Sequence, residues 1–298
     1  MRLVTFSPRR HGPHHVGLLR DGSLVIDLKS VGGRPPFDPA DMISLIEAGD
    51  PAGAWLRDVA AKSTQATPLD QVTLLAPIPR PRKNVFCVGW NYLEHFEEGK
   101  KARPHVQDMP AHPAFFSKAP TTVNGPYDDI PRHAGVTEKL DWEVELGVII
   151  GKGGMNIAEA NALRHVFGYT VINDVSAREV QRQHGQQWFK GKSLDGCCPM
   201  GPWIATADEV PHPDDLRVVC RVNGAVKQDS NTRHMYFKIP RLIAELSAGL
   251  TLEPGDIIST GTPAGVGHAR TPPEFMQTGD TLETEIVGLG LLRNRIER

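Results

Sequence analysis

Apolar and polar residues alternate in several short runs, which predicts a chain built mainly from β-strands. In the clearest run, 142–151, Glu143 and Glu145 alternate with large apolar side chains. Successive side chains of a strand point to opposite faces, so the two glutamates share one face. Further strands are predicted at 16–19, 23–28, 84–89, 169–175, 217–222 and 225–228, and after turns at 254–256 and 279–280.

Five segments have the spacing or the polar content of short helices, at 41–47, 91–101, 157–167, 176–187 and 240–250. Glycine and proline are frequent, with 29 and 25 residues, and this turn-forming content argues against a helical bundle. A proline-rich run around 77–81 predicts a boundary between a small N-terminal module, 1–72, and a main domain, 73–298. The expected fold class is α+β, mainly β.

The charge balance argues against two classes of partner. Lysine and arginine total 33 against 35 aspartate and glutamate residues, a net charge of −2 at pH 7. This balance predicts no basic surface for nucleic acid or anionic membranes. No apolar stretch has the length of a membrane span or a signal peptide, and the four cysteines form no disulfide framework. We therefore expect a cytoplasmic protein.

Three carboxylates on or beside predicted strands are candidate metal ligands. Glu143 and Glu145 lie on one strand, and Asp174 follows the apolar run 169–173. Buried carboxylates stay ionised only when lysine, arginine or a metal cation compensates them, and their oxygens suit Mg²⁺ or Mn²⁺. Two alternatives remain open. The glutamates could lie on a solvated face, and Asp174 could cap the helix that begins near Ser176.

A histidine and a glutamate are candidates for proton transfer. His95 and Glu98 are three residues apart on the predicted helix 91–101, so they share one face. Such a pair can act as a general base and the acid that orients it. Gly89 and Gly99 would allow the segment to move as a lid. The alternative is an ordinary surface pair.

Two further features could contact an anion. Lys192 could neutralise an oxyanion or a carboxylate. The glycine-rich loop 261–267 lacks the ending of a P-loop, but its amides and the Thr262 hydroxyl could approach a small anion. The sequence contains neither an H-E-x-x-H zinc motif nor a G-x-S-x-G nucleophile motif.

Five stretches, taken in order, resemble the fumarylacetoacetate hydrolase (FAH) family. They are 87–92 (CVGWNY), 141–151 (DWEVELGVIIG), 173–181 (NDVSAREVQ), 190–193 (KGKS) and 252–267 (LEPGDIISTGTPAGVG). The resemblance implies a mixed β-roll and sandwich with peripheral helices, assembled as a homodimer. The first module resembles the variable N-terminal part of the family and carries no motif.

The resemblance also implies roles for particular residues. It implies that Glu143, Glu145 and Asp174 bind Mg²⁺ or Mn²⁺. It implies a catalytic set of His95, Glu98 and Lys192, and substrate contacts from Arg178, Gln181, Thr262 and Lys118. Several decarboxylase and isomerase relatives have arginine where this chain has Trp90, and this difference removes one carboxylate-binding group.

The activity implied by the resemblance is metal-dependent hydrolysis of a C–C bond. The substrate would be a β-diketo acid, either an acylpyruvate or a fumarylacetoacetate-like compound, cleaved through an enolate. A decarboxylase, isomerase or hydratase of a 2-oxo acid at the same metal site is the first alternative. A non-catalytic protein that binds an oxo acid is the second. The expected partner is a small 2-oxo acid, with no nucleic acid and no membrane.

Overall fold

The computed structural model describes residues 1–9, 12–100 and 108–297. Its strands are β1 Arg2–Ser7, β2 His15–Arg20, β3 Leu24–Asp27, β4 Thr67–Pro68, β5 Thr73–Leu75, β6 Val85–Gly89, β7 Ala114–Lys118, β8 Val123–Asn124, β9 Ile130–Pro131, β10 Leu140–Asp141, β11 Val144–Ile150, β12 Val166–Asn173, β13 Ser176–Ala177, β14 Cys198–Thr206, β15 Arg217–Val222, β16 Ala225–Asn231, β17 Ile257–Ser259, β18 Thr281–Ile286 and β19 Gly290–Glu297. Its α-helices are α1 Met42–Glu47, α2 Gly49–Lys62, α3 Leu93–Glu98, α4 Arg178–Gln183, α5 Phe189–Lys192 and α6 Ile239–Ser247.

Most strands belong to one large sheet. Its order is β4-β3-β2-β1-β14-β12-β11-β17-β6-β7, with β5 paired to β1 and β8 paired to β14. Most neighbours are antiparallel, whereas β17 and β6 run parallel. A second sheet has the order β16-β15-β18-β19-β9, and β10 pairs separately with β13. The predicted fold class, α+β and mainly β, is confirmed.

Strands from the predicted N-terminal module lie in the large sheet. The sequence analysis did not predict β1, which pairs antiparallel with β14 and sets Leu3 opposite Ile204. Both side chains are fully buried, and apolar burial is the main favourable term in folding. The domain boundary near residue 72 stays a prediction.

Many predicted elements are present within a few residues of their expected bounds. They include the hairpins β2–β3 and β15–β16 and the helices α1, α3 and α6. The helix predicted at 176–187 is shorter, because Ser176 and Ala177 pair with β10 before α4 begins. The predicted end of the helix 91–101 lies outside the described residues.

One predicted helix, 157–167, is wrong. Glu159–His165 forms a 3₁₀ helix, and Val166 already begins β12. Val166 pairs with Ile150 of β11 across the ladder. A β-branched residue and the following phenylalanine suit the pleated surface of a sheet, and this tertiary pairing outweighs the local helical spacing.

β11 lies inside the large sheet and is buried along its whole length. It pairs with β12 on one side and with β17 on the other. The solvated-face alternative is therefore wrong, because Glu143 and Glu145 are only 3% and 2% exposed. Across the described ranges, no helix combines the length and the apolar character that a membrane crossing requires.

Candidate metal centre and active-site cavity

The register of two neighbouring strands brings three carboxylates together. Val144 of β11 pairs with Asn173 of β12, which sets Glu143 beside Asp174. The Asp174 N–H donates to the Glu143 carbonyl oxygen at 2.9 Å. One carboxylate oxygen from each of Glu143, Glu145 and Asp174 lies within 4.8 Å of the other two. The sheet register therefore positions all three carboxylates on buried backbone.

Two buried lysines contact this cluster. Lys192 donates to Glu143 Oε2 and to Asp174 Oδ2, each at 2.7 Å. Lys118 donates to Asp174 Oδ1 at 2.8 Å. The helix-cap alternative for Asp174 is wrong, because Ala177 precedes α4 and no side chain caps it. We refer to Glu143, Glu145, Asp174, Lys118 and Lys192 as the floor.

Arg178 links the floor to a fourth carboxylate. Its Nε donates to Asp141 Oδ2 at 2.7 Å. Its Nη2 lies 2.7 Å from Glu143 Oε1, an ion pair without hydrogen-bond geometry. Asp141 also accepts from the Gly267 N–H at 2.7 Å and the His268 N–H at 3.0 Å. We refer to residues 261–267 as the glycine loop. The Arg178 side chain therefore lies between Glu143 of the floor and Asp141, which is held by the glycine loop.

Glu145 is the least compensated carboxylate of the floor. Burial, together with the nearby charges of Asp174 and Glu143, raises its pKa to about 8. Its Oε2 accepts from Ser259 Oγ at 2.5 Å and from the Gly261 N–H at 2.9 Å. Its Oε1 accepts no hydrogen bond from the described residues. The floor therefore lacks positive charge at this oxygen.

The floor fits a hard divalent cation. Burial opposes ionisation of Glu143, but Lys192 and Arg178 outweigh it and hold the pKa of Glu143 below its ordinary value. A cation bound by Glu143, Glu145 and Asp174 would supply the charge that Glu145 lacks. Oxygen ligands are those that Mg²⁺ and Mn²⁺ prefer. Each carboxylate oxygen has two lone pairs, so it can accept from a lysine and also bind a metal.

The predicted histidine–glutamate pair is formed on α3. His95 Nδ1 lies 2.7 Å from Glu98 Oε1, and the Gly265 N–H donates to Glu98 Oε2 at 2.9 Å. The surface-pair alternative is wrong, because His95 is only 8% exposed and lines a cavity. An imidazole whose Nδ1 contacts a carboxylate keeps Nε2 for proton exchange.

The floor opens into a cavity of about 380 Å³. The predicted residues that line it are Glu143, Glu145, Lys192, Arg178, Gln181, Thr262 and His95. Three predicted residues lie outside the lining: Asp174, Lys118, which donates to Asp174, and Glu98, which contacts His95. A wider groove of about 750 Å³ lies beside β3 and α2, but no predicted site residue lines it. The smaller cavity is therefore the candidate active site.

Two polar residues of the wall are themselves held by the protein. Thr262 Oγ1 donates to the Val144 carbonyl at 3.0 Å and accepts from Gln228 Nε2 at 2.8 Å. Gln181 Oε1 accepts from Arg178 Nη1 at 3.4 Å, one turn away on α4. The Thr262 hydroxyl thus anchors the glycine loop to β11. Because its one proton is donated to Val144, this hydroxyl is not available to donate to an anion.

Aromatic rings form the rest of the wall. The ring of Trp188 lies 4.9 Å from that of Trp90 and 5.2 Å from that of Phe116, both edge to face. Trp90 has a φ of 57°, in the left-handed region that bulky residues rarely adopt outside constrained sites. A Cβ on Gly89 would lie 2.3 Å from the Trp188 ring. Glycine at the end of β6 therefore makes room for this wall.

Comparison with known proteins now assigns the family. The sequence model of the fumarylacetoacetate (FAA) hydrolase C-terminal domain matches residues 84–297. The chain belongs to the fumarylacetoacetate hydrolase family. It is 42% identical over 294 residues to oxaloacetate tautomerase YisK of Bacillus subtilis, which covers 94% of this chain and 95% of that protein.

Two solved structures of the fumarylacetoacetate hydrolase family have the same fold. Fumarylacetoacetate hydrolase from Exiguobacterium antarcticum has a TM-score of 0.81 at 39% identity, covering 100% of this chain and 99% of that one. Maleylpyruvate hydrolase from Sphingobium sp. SYK-6, in complex with manganese(II) ion and pyruvate, has a TM-score of 0.79 at 30% identity, again covering 100% and 99%. The resemblance inferred from the sequence motifs is confirmed, and the family is one of enzymes that act on small molecules.

Several residues of the site were absent from the sequence-based predictions for this family member, among them Asp141, His268 and Arg182. Asp141 holds Arg178, and His268 lines the cavity with its Nδ1 3.3 Å from Asp141 Oδ2. Asp141 opens the matched stretch 141–151, and that position was the available signal. His268 follows the glycine loop by one residue, but a histidine in a turn-rich segment gives no signal of burial on its own.

Proposed function

We propose that the chain is a divalent-metal-dependent tautomerase of a 2-oxo acid, with oxaloacetate as the first substrate to test. The observation that carries the proposal is that His95, held by Glu98, lines the same cavity as Glu143 and Glu145 of the carboxylate cluster. Tautomerisation needs one group that moves a proton and one site that stabilises the enolate. Similarity to an oxaloacetate tautomerase across almost the whole chain supports this choice.

Different residues of the site would bind the metal and transfer the proton. When bound by Glu143, Glu145 and Asp174, a divalent cation supplies Lewis-acid stabilisation of the negative charge on the substrate oxygen. His95 takes the proton from C3 of the substrate, and the electron pair of that C–H bond forms the C2–C3 double bond. The C2 oxygen then takes a proton from water and His95 returns its proton to solvent, which completes the enol; the reverse sequence restores the ketone.

The other polar groups position the substrate and hold the base. Glu98 contacts Nδ1 of His95 and stabilises the positive charge on the imidazole when Nε2 is protonated. Gln181 lines the cavity and offers its amide to a substrate oxygen. The lysine ammonium of Lys192, 2.7 Å from two carboxylates of the floor, adds positive charge beside the place where the oxyanion develops.

The C–C hydrolase expected from the sequence motifs is the second candidate. The same His95–Glu98 pair can take a proton from water, which would attack the distal carbonyl of a β-diketo acid. The fold similarity to a maleylpyruvate hydrolase favours this reading. Mg²⁺ or Mn²⁺ as the ion, a homodimer and a cytoplasmic location remain predictions.

The deciding experiment follows one substrate at a time. Enol-oxaloacetate is mixed with malate dehydrogenase and NADH, which consume only the ketone, with protein and Mg²⁺ or with EDTA. We expect metal-dependent acceleration of ketone formation without release of pyruvate. No acceleration, together with stoichiometric pyruvate from an acylpyruvate, would establish the hydrolase instead. Stabilisation by Mg²⁺ and oxalate without any turnover would point to a non-catalytic binding protein.

A further inference from the structure

α4 presents three polar side chains to the cavity at helical spacing. Arg178, Gln181 and Arg182 all line it, and residues three and four apart share one helix face. Four residues of helix rise about 6 Å, so Arg182 lies about one turn beyond Arg178. Arg178 contacts the floor through Glu143. Arg178 is only 5% exposed whereas Arg182 is exposed, so Arg182 lies nearer the solvent side of the cavity than the floor does.

Arg182 differs from the other lysine and arginine side chains of the cavity in having no partner. Arg178 pairs with Asp141 and Glu143, and Lys192 pairs with two carboxylates of the floor. Among the residues that the structure describes, no carboxylate lies within ion-pair distance of Arg182 and no hydrogen bond holds it. Arg182 is exposed where it lines the cavity, and its guanidinium has its donors available.

The surroundings of Arg182 favour an anionic ligand. Burial and the positive charge of Arg178 lower the pKa of Arg182, so no neighbouring charge compensates it. The aromatic rings of Trp90, Trp188 and Phe116 on the wall carry no charge. Arg182 is thus the uncompensated arginine of the described cavity wall, and a guanidinium binds a carboxylate through two parallel hydrogen bonds.

We propose that Arg182 binds the distal carboxylate of a dicarboxylic 2-oxo acid and so selects dicarboxylates over monocarboxylates. The inference rests on the proposed function, in which the 2-oxo acid end of the substrate lies at the floor. The outward step from Arg178 to Arg182 on α4 places the second guanidinium where the remote end of the substrate extends. Oxaloacetate and pyruvate share the 2-oxo acid end and differ by this distal carboxylate.

The test compares these two acids on one variant. Arg182→Gln is expected to raise the KM for oxaloacetate about tenfold to a hundredfold, as expected for the loss of a hydrogen-bonded charge pair. The inhibition constant of pyruvate should stay unchanged. Thermal stabilisation by oxaloacetate with Mg²⁺ should fall, while stabilisation by pyruvate with Mg²⁺ should persist. Arg182→Lys should give an intermediate KM, because it keeps the charge and loses the paired donors.

Lys190→Gln is the matched control. Lys190 is exposed on α5, the next helix, and does not line the cavity. Lys190→Gln therefore changes the net charge by the same amount as Arg182→Gln without removing a group that could contact the substrate. An unchanged KM for oxaloacetate in Arg182→Gln, or equal losses for both acids, would overturn the role of Arg182. Wild-type protein that neither binds pyruvate nor converts oxaloacetate in the presence of Mg²⁺ would overturn the proposed function itself, and the role of Arg182 with it.

Discussion

The floor and helix α3 hold their charged groups in different ways. On the floor, Asp174 contacts two buried lysines that come from β7 and α5, and its backbone is fixed by the register of β11 and β12. On α3, His95 contacts one carboxylate, Glu98, which accepts a hydrogen bond from one backbone N–H. The floor is held by more contacts, so changes there should affect both folding and function, whereas changes on α3 should affect function alone.

Asp174→Asn should have the largest effect. Lys118 loses the charge of its partner and Lys192 loses one of two, so the free energy of unfolding should fall by about 3–5 kcal/mol. The affinity for Mn²⁺ should fall by more than about a hundredfold, because a ligand itself is lost rather than its support. Urea denaturation and a Mn²⁺ titration measure the two effects.

Asp141→Asn is the control for that variant. Asp141 is equally buried and pairs with Arg178, but it lies outside the carboxylate cluster. It should lose stability and keep most of its affinity for Mn²⁺. If Asp174→Asn bound Mn²⁺ as tightly as the wild type, Asp174 would not be a ligand. If the unfolding free energy of Asp174→Asn were unchanged, the contrast between the floor and α3 would not hold.

His95→Ala should show the opposite pattern. Loss of the proton-transfer group should lower turnover about 10²- to 10⁴-fold, while Mn²⁺ affinity and the urea midpoint stay close to those of the wild type. Glu94→Ala removes an exposed acid from the same helix and should leave turnover unchanged. Equal turnover in His95→Ala and the wild type would assign the base elsewhere in the cavity.

A change of pH should alter metal affinity by about tenfold per pH unit, the smallest step among these effects. Glu145, with its pKa raised to about 8, must lose its proton before it can bind a cation. The apparent Mn²⁺ affinity should therefore rise about tenfold per pH unit between about pH 6 and 8, and then level off. Calorimetric titrations at four pH values measure it. A flat profile would show that Glu145 is already ionised.

The same shift makes a prediction for the metal-free protein. The folded state holds the Glu145 proton up to about pH 8, whereas the ordinary value for glutamate is 4.5. The folded state thus binds more protons across that window, and stability should fall as the pH rises through it. In Glu145→Gln this contribution to the slope should vanish, which unfolding experiments at several pH values can test.

The strands around the floor were predictable because their pattern is local. Alternation located β11, and apolar runs located β6 and most of β12, because all three strands are almost entirely buried. The helix predicted at 157–167 is wrong because the conformation of Val166 is determined by its pairing with Ile150 of β11 and not by the local helical spacing. β1 was not predicted although its longest pairing, five residue pairs with β2, is local; two further pairs join it to β14, some 200 residues later.

The sequence allowed many of the site residues to be identified, but not the contacts that they make with one another. Glu143, Glu145 and Asp174 were recognisable from apolar strands that carry acids, and their 4.8 Å cluster follows from strand register. No feature of the sequence near Lys118 indicates that its ammonium group donates to Asp174, 56 residues later. The tie between Asp141 and Arg178, 37 residues apart, is likewise a product of tertiary packing.

The glycine loop has a consequence for how such a site can diversify. Its backbone amides hold three carboxylates of different elements, in the pairs Gly261–Glu145, Gly265–Glu98 and Gly267–Asp141. A Cβ at position 265 or 267 would lie 2.2 or 2.1 Å from a backbone carbonyl oxygen, so these positions accept no side chain. Apart from Thr262, whose hydroxyl is bonded to β11, the loop acts through its main chain, so side-chain substitution can change little there. New substrate preferences can therefore arise on α4 and the aromatic wall while the chemistry is inherited intact.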